Sequence, residues 1–390
     1  MKAISLFSGC GGMDLGFENA GISILAAYDS DSYAVSSYNR NVKLCARRID
    51  VNRLDSIPSN FDILIATPPC QGFSTAGGYR VNDPRNNLLI NTCEIIKKES
   101  PKLAIIENVA SIINIRNSPL LNIGLDILRG SGYHVEIKII SCDNFGVPQR
   151  RKRAFIFARS DRRYFRTDIL SGASSKVILK DVFNDLPMQD YSHKPRVFAS
   201  GTRHHKIAES IKPGQKLCNV RASALSVPTW HIPEVFGHTT KQERQILELI
   251  RTLRRRNRKR NFGDADPVSI EEINSECTVN VDEVLRRLLQ KGYLRQINDL
   301  YDLTNTFNGK YRRLSLLESS PTVDTRFGDH QLFLHPKEHR GMTVREAARI
   351  QGFPDYFTFS ETPKICYRLI GNAVPPPVAQ KVAAFARYLV

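Results

Sequence analysis

Short apolar runs, each handing over to a polar or reactive residue at its carboxyl end, constrain the fold of this chain more than any other feature. Residues 61–66 are apolar and β-branched enough to read as a central strand buried on both faces. Pro68 and Pro69 then stop the strand and stiffen the backbone just before Cys70. Gly72, Ser74, Gly77 and Gly78 follow, opening the platform into a loop. Residues 2–7 read as a first strand, 23–28 as one ending at Asp29, and 44–49 as one ending at Asp50-Val51. Residues 101–106 deliver Glu107-Asn108-Val109, and 154–158 form a further strand. This pattern predicts an α/β fold with a doubly wound, Rossmann-like sheet, in which ligands bind beyond the carboxyl ends of the strands. By itself the run before Cys70 leaves open whether the thiol is reactive or a structural cysteine in a loop.

The turn after the first strand, Ser8-Gly9-Cys10-Gly11-Gly12-Met13-Asp14-Leu15-Gly16-Phe17, is a glycine-rich entry into a helix. Glycines there permit positive φ and let a ligand approach the backbone. The spacing is not the dinucleotide fingerprint, because Asp14 stands where its third glycine would be. Asp29, about 20 residues on, suits the two hydroxyls of a ribose, or else caps a helix. A carboxyl group such as Glu107 in a partly apolar pocket holds its proton toward neutral pH; the alternative is a loop ion pair. In Pro148-Gln149-Arg150-Arg151-Lys152-Arg153, strand alternation puts Gln149, Arg151 and Arg153 on one face and Arg150 and Lys152 on the other.

Phe-Ser-Gly-Cys-Gly-Gly, Pro-Pro-Cys-Gln, Glu-Asn-Val and the alternate Gln149, Arg151 and Arg153 resemble, in order, the motifs of the DNA cytosine-5 methyltransferase family. Residues 341–354 and Gly371-Asn372-Ala373-Val374-Pro375-Pro376-Pro377 add a carboxyl-terminal half to the resemblance, which covers residues 1–159 and 311–390. It implies S-adenosyl-L-methionine as cofactor, held by Phe7, Gly9, Gly11, Gly12, Asp29, Asp50, Val51, Pro68 and Asn372. The family usually has glycine before the aspartate that corresponds to Asp50, where this chain has Ile49. Asn372 otherwise reads as a helix cap. The resemblance further implies a catalytic set of Cys70, Glu107, Arg151 and Arg153. Cys70 would add to C6 of a flipped-out cytosine and Glu107 would bond its N3. Arg151 would hold the carbonyl oxygen of the base and Arg153 would orient Glu107. Pro68, Gln71, Ser74 and Gln149 would contact the substrate, Pro68 through its backbone carbonyl. The segment after Ser74, through Gly77, Gly78 and Asp83-Pro84-Arg85, is expected to close as a lid.

Lys and Arg outnumber Asp and Glu by 56 to 39, and a formal charge of +17 fits a polyanionic partner such as double-stranded DNA. The eight cysteines contain no Cys-x-x-Cys, so no metal site or disulfide framework is expected, and a free nucleophilic thiol suits a reducing cytoplasm. No apolar run approaches membrane-spanning length. A prokaryotic, monomeric enzyme is expected, with a cognate restriction endonuclease acting on the same site without being bound to it.

Residues 1–189 are expected to form the catalytic and cofactor-binding domain, 190–340 a target-recognition domain, and 341–390 a segment returning to the first. Within the recognition region a helix over 242–253 runs into the basic cluster Arg254, Arg255, Arg256, Arg258, Lys259 and Arg260. A short helix from Ser269, a third helix over 280–290 and a hairpin over 293–303 turning at Asn298-Asp299 follow. That outline is winged-helix-like, and its arginines read as a phosphate clamp or as a solvated face. Thr229-Trp230-His231 and His204-His205 either touch DNA or pack. A tRNA methyltransferase on the same scaffold and a non-catalytic winged-helix repressor are the competing readings; the intact catalytic set argues against the repressor.

Overall fold

The structure is a computed structural model that describes residues 1–69, 87–114, 118–161, 163–170, 172, 176–183, 194–259, 265–278 and 280–390. Cys70, Gln71, Ser74, the lid segment and Arg260 lie outside the described residues. The chain divides into two compact units: Met1–His193 with Leu317–Arg326 and Thr343–Val390, and Lys194–Leu316 with Phe327–Met342.

The first unit is built on a seven-stranded sheet. Its elements run β1 (Lys2–Leu6), α1 (Gly12–Asn19), β2 (Ser23–Asp29), α2 (Ser32–Asn41), β3 (Ala46–Arg48), β4 (Ile63–Ala66), α3 (Asn87–Glu99), β5 (Leu103–Val109), α4 (Ser118–Gly130), β6 (His134–Ser141), β7 (Lys152–Arg159) and α5 (Leu179–Phe183). The sheet order is β3-β2-β1-β4-β5-β7-β6. Strand β7 runs antiparallel to both β5 and β6, and the other pairs are parallel. Alternation along each buried strand fills both faces. Ala3, Ile63, Ile65, Leu103, Ile105, Phe155 and Phe157 pack on one side with Met13 and Phe17 of α1. Ile4, Leu6, Leu64, Ala66, Ala104, Ile106 and Ile156 pack on the other with Leu89, Cys93 and Ile96 of α3.

After β3 the chain returns to the opposite side of β1, so β1 and β4 form the topological switch point where ligands bind in such sheets. The register aligns Leu6 with Tyr28 and Ala66, and Ala66 with Ile106. The loops leaving β1 and β4, and Asp29 and Glu107 near the ends of β2 and β5, therefore emerge at one edge.

The second unit begins with α6 (Arg203–Glu209), β8 (Lys216–Leu217), β9 (Ser226–Val227) and α7 (Pro233–Phe236). Next come α8 (Lys241–Arg256), α9 (Ile270–Asn274), α10 (Val281–Lys291) and the hairpin β10 (Leu294–Ile297) and β11 (Leu300–Leu303). Short strands β12 (Arg312–Arg313) and β13 (Phe333–Leu334) complete it. Thr240 and Glu243 form a reciprocal capping box at the start of α8, and Ser269 and Glu272 do the same for α9. Ile246, Leu247, Ile250 and Leu253 of α8 meet Val281, Val284, Leu285 and Leu288 of α10 in one core, which also encloses Trp230. Trp230 thus packs. His204 pairs with the Tyr311 hydroxyl. Asn298 takes φ +54 in the two-residue turn of the hairpin, as its short polar side chain allows.

The basic cluster is not one uniform surface. Arg254 is 4% exposed and ion-paired with Asp302 of β11, so its charge holds the hairpin to α8 rather than facing a partner. Arg256 pairs with Glu276, whereas Arg255 and Arg258 stand exposed.

The carboxyl-terminal part of the first unit comprises α11 (Val344–Ile350), α12 (Pro363–Asn372) and α13 (Pro376–Leu389). Thr343 caps α11 in a box with Glu346, and α13 lies along α1. Residues 317–326 also belong to this unit rather than to the recognition region. The reason is backbone pairing: Ser320 bridges Gln149, and the Val323 amide donates to Gln149 Oε1 at 3.0 Å.

Candidate active site

The switch point opens into a cavity of about 350 Å3. Phe7, Gly9, Gly12, Asp29, Pro68 and Asn372 border it, as do Glu107 and Arg153. Its floor is set by sequence-encoded backbone choices. Phe7 takes φ +55, a strained conformation for a bulky residue, and its carbonyl accepts from the Thr67 hydroxyl at 2.7 Å. That bond ties the end of β1 to the loop leaving β4. Gly9 takes φ +56 with open space where a Cβ would stand, and its amide donates to Asp29 Oδ2 at 2.8 Å.

The two remaining glycines of the loop serve packing. A Cβ on Gly11 would stand 2.6 Å from Val42 Cγ2, and one on Gly12 would stand 2.4 Å from the Val374 carbonyl oxygen. Gly12 therefore lets the start of α1 meet the 373–374 turn, and Gly11 does not border the cavity.

Asp29 accepts from the Asp31 amide through Oδ1 at 2.8 Å and from Gly9 through Oδ2. Burial pushes its carboxyl above the ordinary range. The helix cap that Asp29 might have been is Asp31, which accepts from Tyr33 N at 3.0 Å and pairs with Arg368 at 2.7 Å. Asp50 and Val51 do not border this cavity. Asp50 is exposed and caps the short turn Val51–Arg53, and Val51 is buried in the core.

On the opposite wall, Glu107 is 7% exposed and its Oε1 lies 2.9 Å from Arg153 Nε. Burial raises its proton affinity, while the charges of Arg153 and Arg151 oppose that rise. Asn108, which sequence patterning left without a role, donates from Nδ2 to the Pro68 carbonyl at 3.2 Å. The carbonyl expected to meet a base thus already has one donor. Asn108 also accepts at Oδ1 from Val109 N at 2.9 Å, fixing its amide. Its signal in the sequence was its place between Glu107 and Val109 at a strand end.

Arg151 and Gln149 stand elsewhere than expected. Arg151 is 1% exposed; its Nη1 donates to the Val323 and Gly371 carbonyls, each at 3.1 Å, and its Nη2 to Ala373 at 3.0 Å. Gln149, fully buried, donates to the Ile350 carbonyl at 3.2 Å and to Gln351 Oε1, and Gln351 donates to Ala373 at 2.6 Å. Neither borders the cavity. Arg151 holds the 371–373 backbone directly, and Gln149 reaches it through Gln351. In this geometry Arg151 braces the backbone at Val323, Gly371 and Ala373.

Cys10 borders the cavity, yet it is a poor nucleophile: burial pushes its thiol up to about 12, and Sγ donates to the Leu369 carbonyl. Cys70 follows directly on Pro69, which also borders the cavity. Among the described residues no group of three or more His, Cys, Asp or Glu is arranged to hold a metal. No helix among them is long and apolar enough to cross a membrane.

The profile of the family C-5 cytosine-specific DNA methylase matches residues 1–385. Among curated proteins, the type II methyltransferase M.HgiCII of Herpetosiphon aurantiacus is 30% identical, covering 97% of this chain and 94% of the relative. The type II methyltransferase M.DdeI of Desulfomicrobium norvegicum is 28% identical over 98% of this chain and 88% of its own. Among solved structures, an E. coli prophage-encoded protein described as a DNA modification methyltransferase superposes with a TM-score of 0.61 at 22% identity, covering 100% of this chain and 99% of that one. The S. pombe Dnmt2 methyltransferase does so with a TM-score of 0.54 at 17% identity, over 100% and 98%.

Proposed function

The chain belongs to the C-5 cytosine-specific DNA methylase family, and from that premise we propose that it methylates one cytosine within a short, specific site of double-stranded DNA. Protection of host DNA in a restriction–modification pair follows by analogy with the type II relatives. The observation that carries the chemistry is Glu107: a buried carboxyl with raised proton affinity, ion-paired to Arg153, on a cavity bordered by the residue before Cys70.

Cytosine C5 is a poor nucleophile. Addition of the Cys70 thiolate to C6 forms an Sγ–C6 bond and moves the ring electron pair toward C5. Glu107 bonded at N3 offsets the negative charge that this addition builds in the ring. Arg153 fixes the Glu107 carboxyl, and Asn108 fixes the Pro68 carbonyl that would meet the amino group. After C5 is methylated its proton leaves to a base, the Sγ–C6 bond breaks, and the thiolate is restored. Because these atoms are stacked inside a duplex, the cytosine must be turned out.

The cavity suits S-adenosyl-L-methionine on its own features: backbone approach is open at Gly9, Asp29 offers a buried acceptor, and Asn372 stands at the rim. Phe7, Gly9, Gly12, Asp29, Pro68 and Asn372 would hold it, and its contribution is an electrophilic methyl group. In the second unit, three helices followed by a hairpin support a winged-helix-like reading of 242–303 in target recognition.

The test is transfer of labelled methyl groups to mixed genomic DNA and to tRNA, wild type beside Cys70→Ala. Label in DNA at one bisulfite-defined context, lost in the variant, is the expected result. Label in tRNA alone would replace this reading with the RNA one. Wild-type context kept after deletion of 242–303 would remove the insert from recognition.

A further inference from the structure

The second unit carries a polar concavity of its own, of about 410 Å3. Four cations border it, Lys216, Arg221, Arg254 and Arg295, against one carboxylate, Asp302. The carboxylate is not available to a ligand. Asp302 is 3% exposed and lies between two arginines: it pairs with buried Arg254, and its Oδ2 accepts from Arg295 Nε at 3.2 Å and from Nη2 at 2.6 Å.

This arrangement has a consequence for Arg295. Its side chain is 48% exposed, yet Asp302 fixes the guanidinium in one orientation from behind. A planar fork held in place loses little freedom on binding an anion. The polar neighbour Asn308 is oriented as well. Its Oδ1 accepts from the Asn219 amide at 3.2 Å, which orients its side-chain amide at the edge of the concavity. The described lining is thus polar with an excess of positive charge. Lys216 adds to it, and burial together with nearby Arg312 and Arg221 lowers the proton affinity of its amine, a cost that a bound anion relieves.

We propose that this concavity seats the phosphodiester backbone of DNA, with Lys216 and Arg295 contacting phosphate and the buried Arg254–Asp302 pair positioning Arg295. The clamp therefore lies beneath the hairpin and not along the exposed arginines that end α8. Phosphate rather than a base edge is the occupant, because four cations border the concavity and its one carboxylate among the described lining residues is already paired, a balance that favours the polyanionic backbone. The proposal rests on the DNA-methylating function argued above.

The experiment measures binding of the full-length protein to a short mixed-sequence DNA duplex across a salt series, for wild type, Lys216→Gln and Arg295→Gln. Bisulfite sequencing of genomic DNA methylated by each protein runs alongside. Each variant is expected to weaken binding ~10-fold at moderate salt and to flatten the slope of log affinity against log salt by about 0.9, with the methylated context unchanged. Lys216→Gln breaks no ion pair among the described residues, so a folding defect in Arg295→Gln leaves the test intact. Unchanged affinity and slope in Lys216→Gln and in a folded Arg295→Gln overturn the clamp. A relaxed methylation context with an unchanged slope overturns it too, in favour of base reading. Failure of the wild type itself to bind or methylate duplex DNA would instead strike the functional reading beneath it.

Discussion

Glu107 is held between opposing influences, burial raising its proton affinity and the Arg153 and Arg151 charges lowering it. A group that must donate a bond in its protonated form gains from the first and is limited by the second. Arg153→Gln removes a lowering influence, so the alkaline limb of the kcat/KM–pH profile should move to higher pH while the maximal rate falls. A limb that stays in place or moves down would contradict this account of Glu107. Asp14 makes a separate case. Burial drives its carboxyl from 3.8 up to about 7, although the Ser5 hydroxyl donates to it at 2.8 Å. With its proton affinity raised in the fold, Asp14 contributes stability that is present below pH 3.8 and is lost as pH rises through about 7. Asp14→Asn should flatten the fall in the urea midpoint between about pH 5 and about pH 8, and an equally steep variant would contradict it. At this scale the sequence made Asp29 and Glu107 visible because they stand at the carboxyl ends of apolar runs, and Arg153 because it leads into one. It could not separate Arg151 from Arg153: alternation gives both one face, and only carbonyls 172, 220 and 222 residues away decide that Arg151 is buried.

Helices α1 and α13 approach each other at Gly16, where a Cβ would lie 2.4 Å from Ala379 Cβ and 2.5 Å from Gln380 N. The neighbours are backbone and a core methyl, which have nowhere to move, so Gly16→Ala should cost ~1–3 kcal/mol in urea denaturation. A neutral result would mean the two helices can separate. Arg151→Lys tests the brace on residues 371–373. One ammonium cannot replace a planar fork that reaches three carbonyls, so cofactor affinity should fall with stability, as read by calorimetry and urea midpoint. Strands β1, β2, β4 and β5 were legible because apolar runs and reactive ends coincide in them. Strand β6 was not, since no reactive residue follows it and its half-exposed alternation is that of an edge strand. The three helices and hairpin of the second unit were legible through the helical spacing of their apolar residues and the Asn298-Asp299 turn, whereas the burial of Arg254 depends on Asp302, 48 positions on.

Across the whole molecule, the positive excess reaches +17 and predicts an association with DNA that weakens linearly in log affinity against log salt, at about −0.9 per phosphate contact. An affinity indifferent to salt would contradict a backbone-led encounter. The second unit shows least in the sequence, because arginines that would meet phosphate and arginines in structural ion pairs look alike there and differ only in what faces them. The catalytic unit shows most, because its chemistry needs fixed residue types at strand ends. The central proposal is a cytosine turned out of the duplex toward Glu107 and Cys70. The most direct test offers the protein and S-adenosyl-L-methionine a duplex with 5-fluorocytosine at the methylated position. Fluorine cannot depart as a proton does, so the elimination that frees the thiolate stalls. The account predicts a covalent complex whose mass maps to the Cys70 peptide, absent in Cys70→Ala and slower to form in Glu107→Gln. A wild-type protein that methylates the ordinary duplex but forms no adduct, or forms one at another residue, would contradict it.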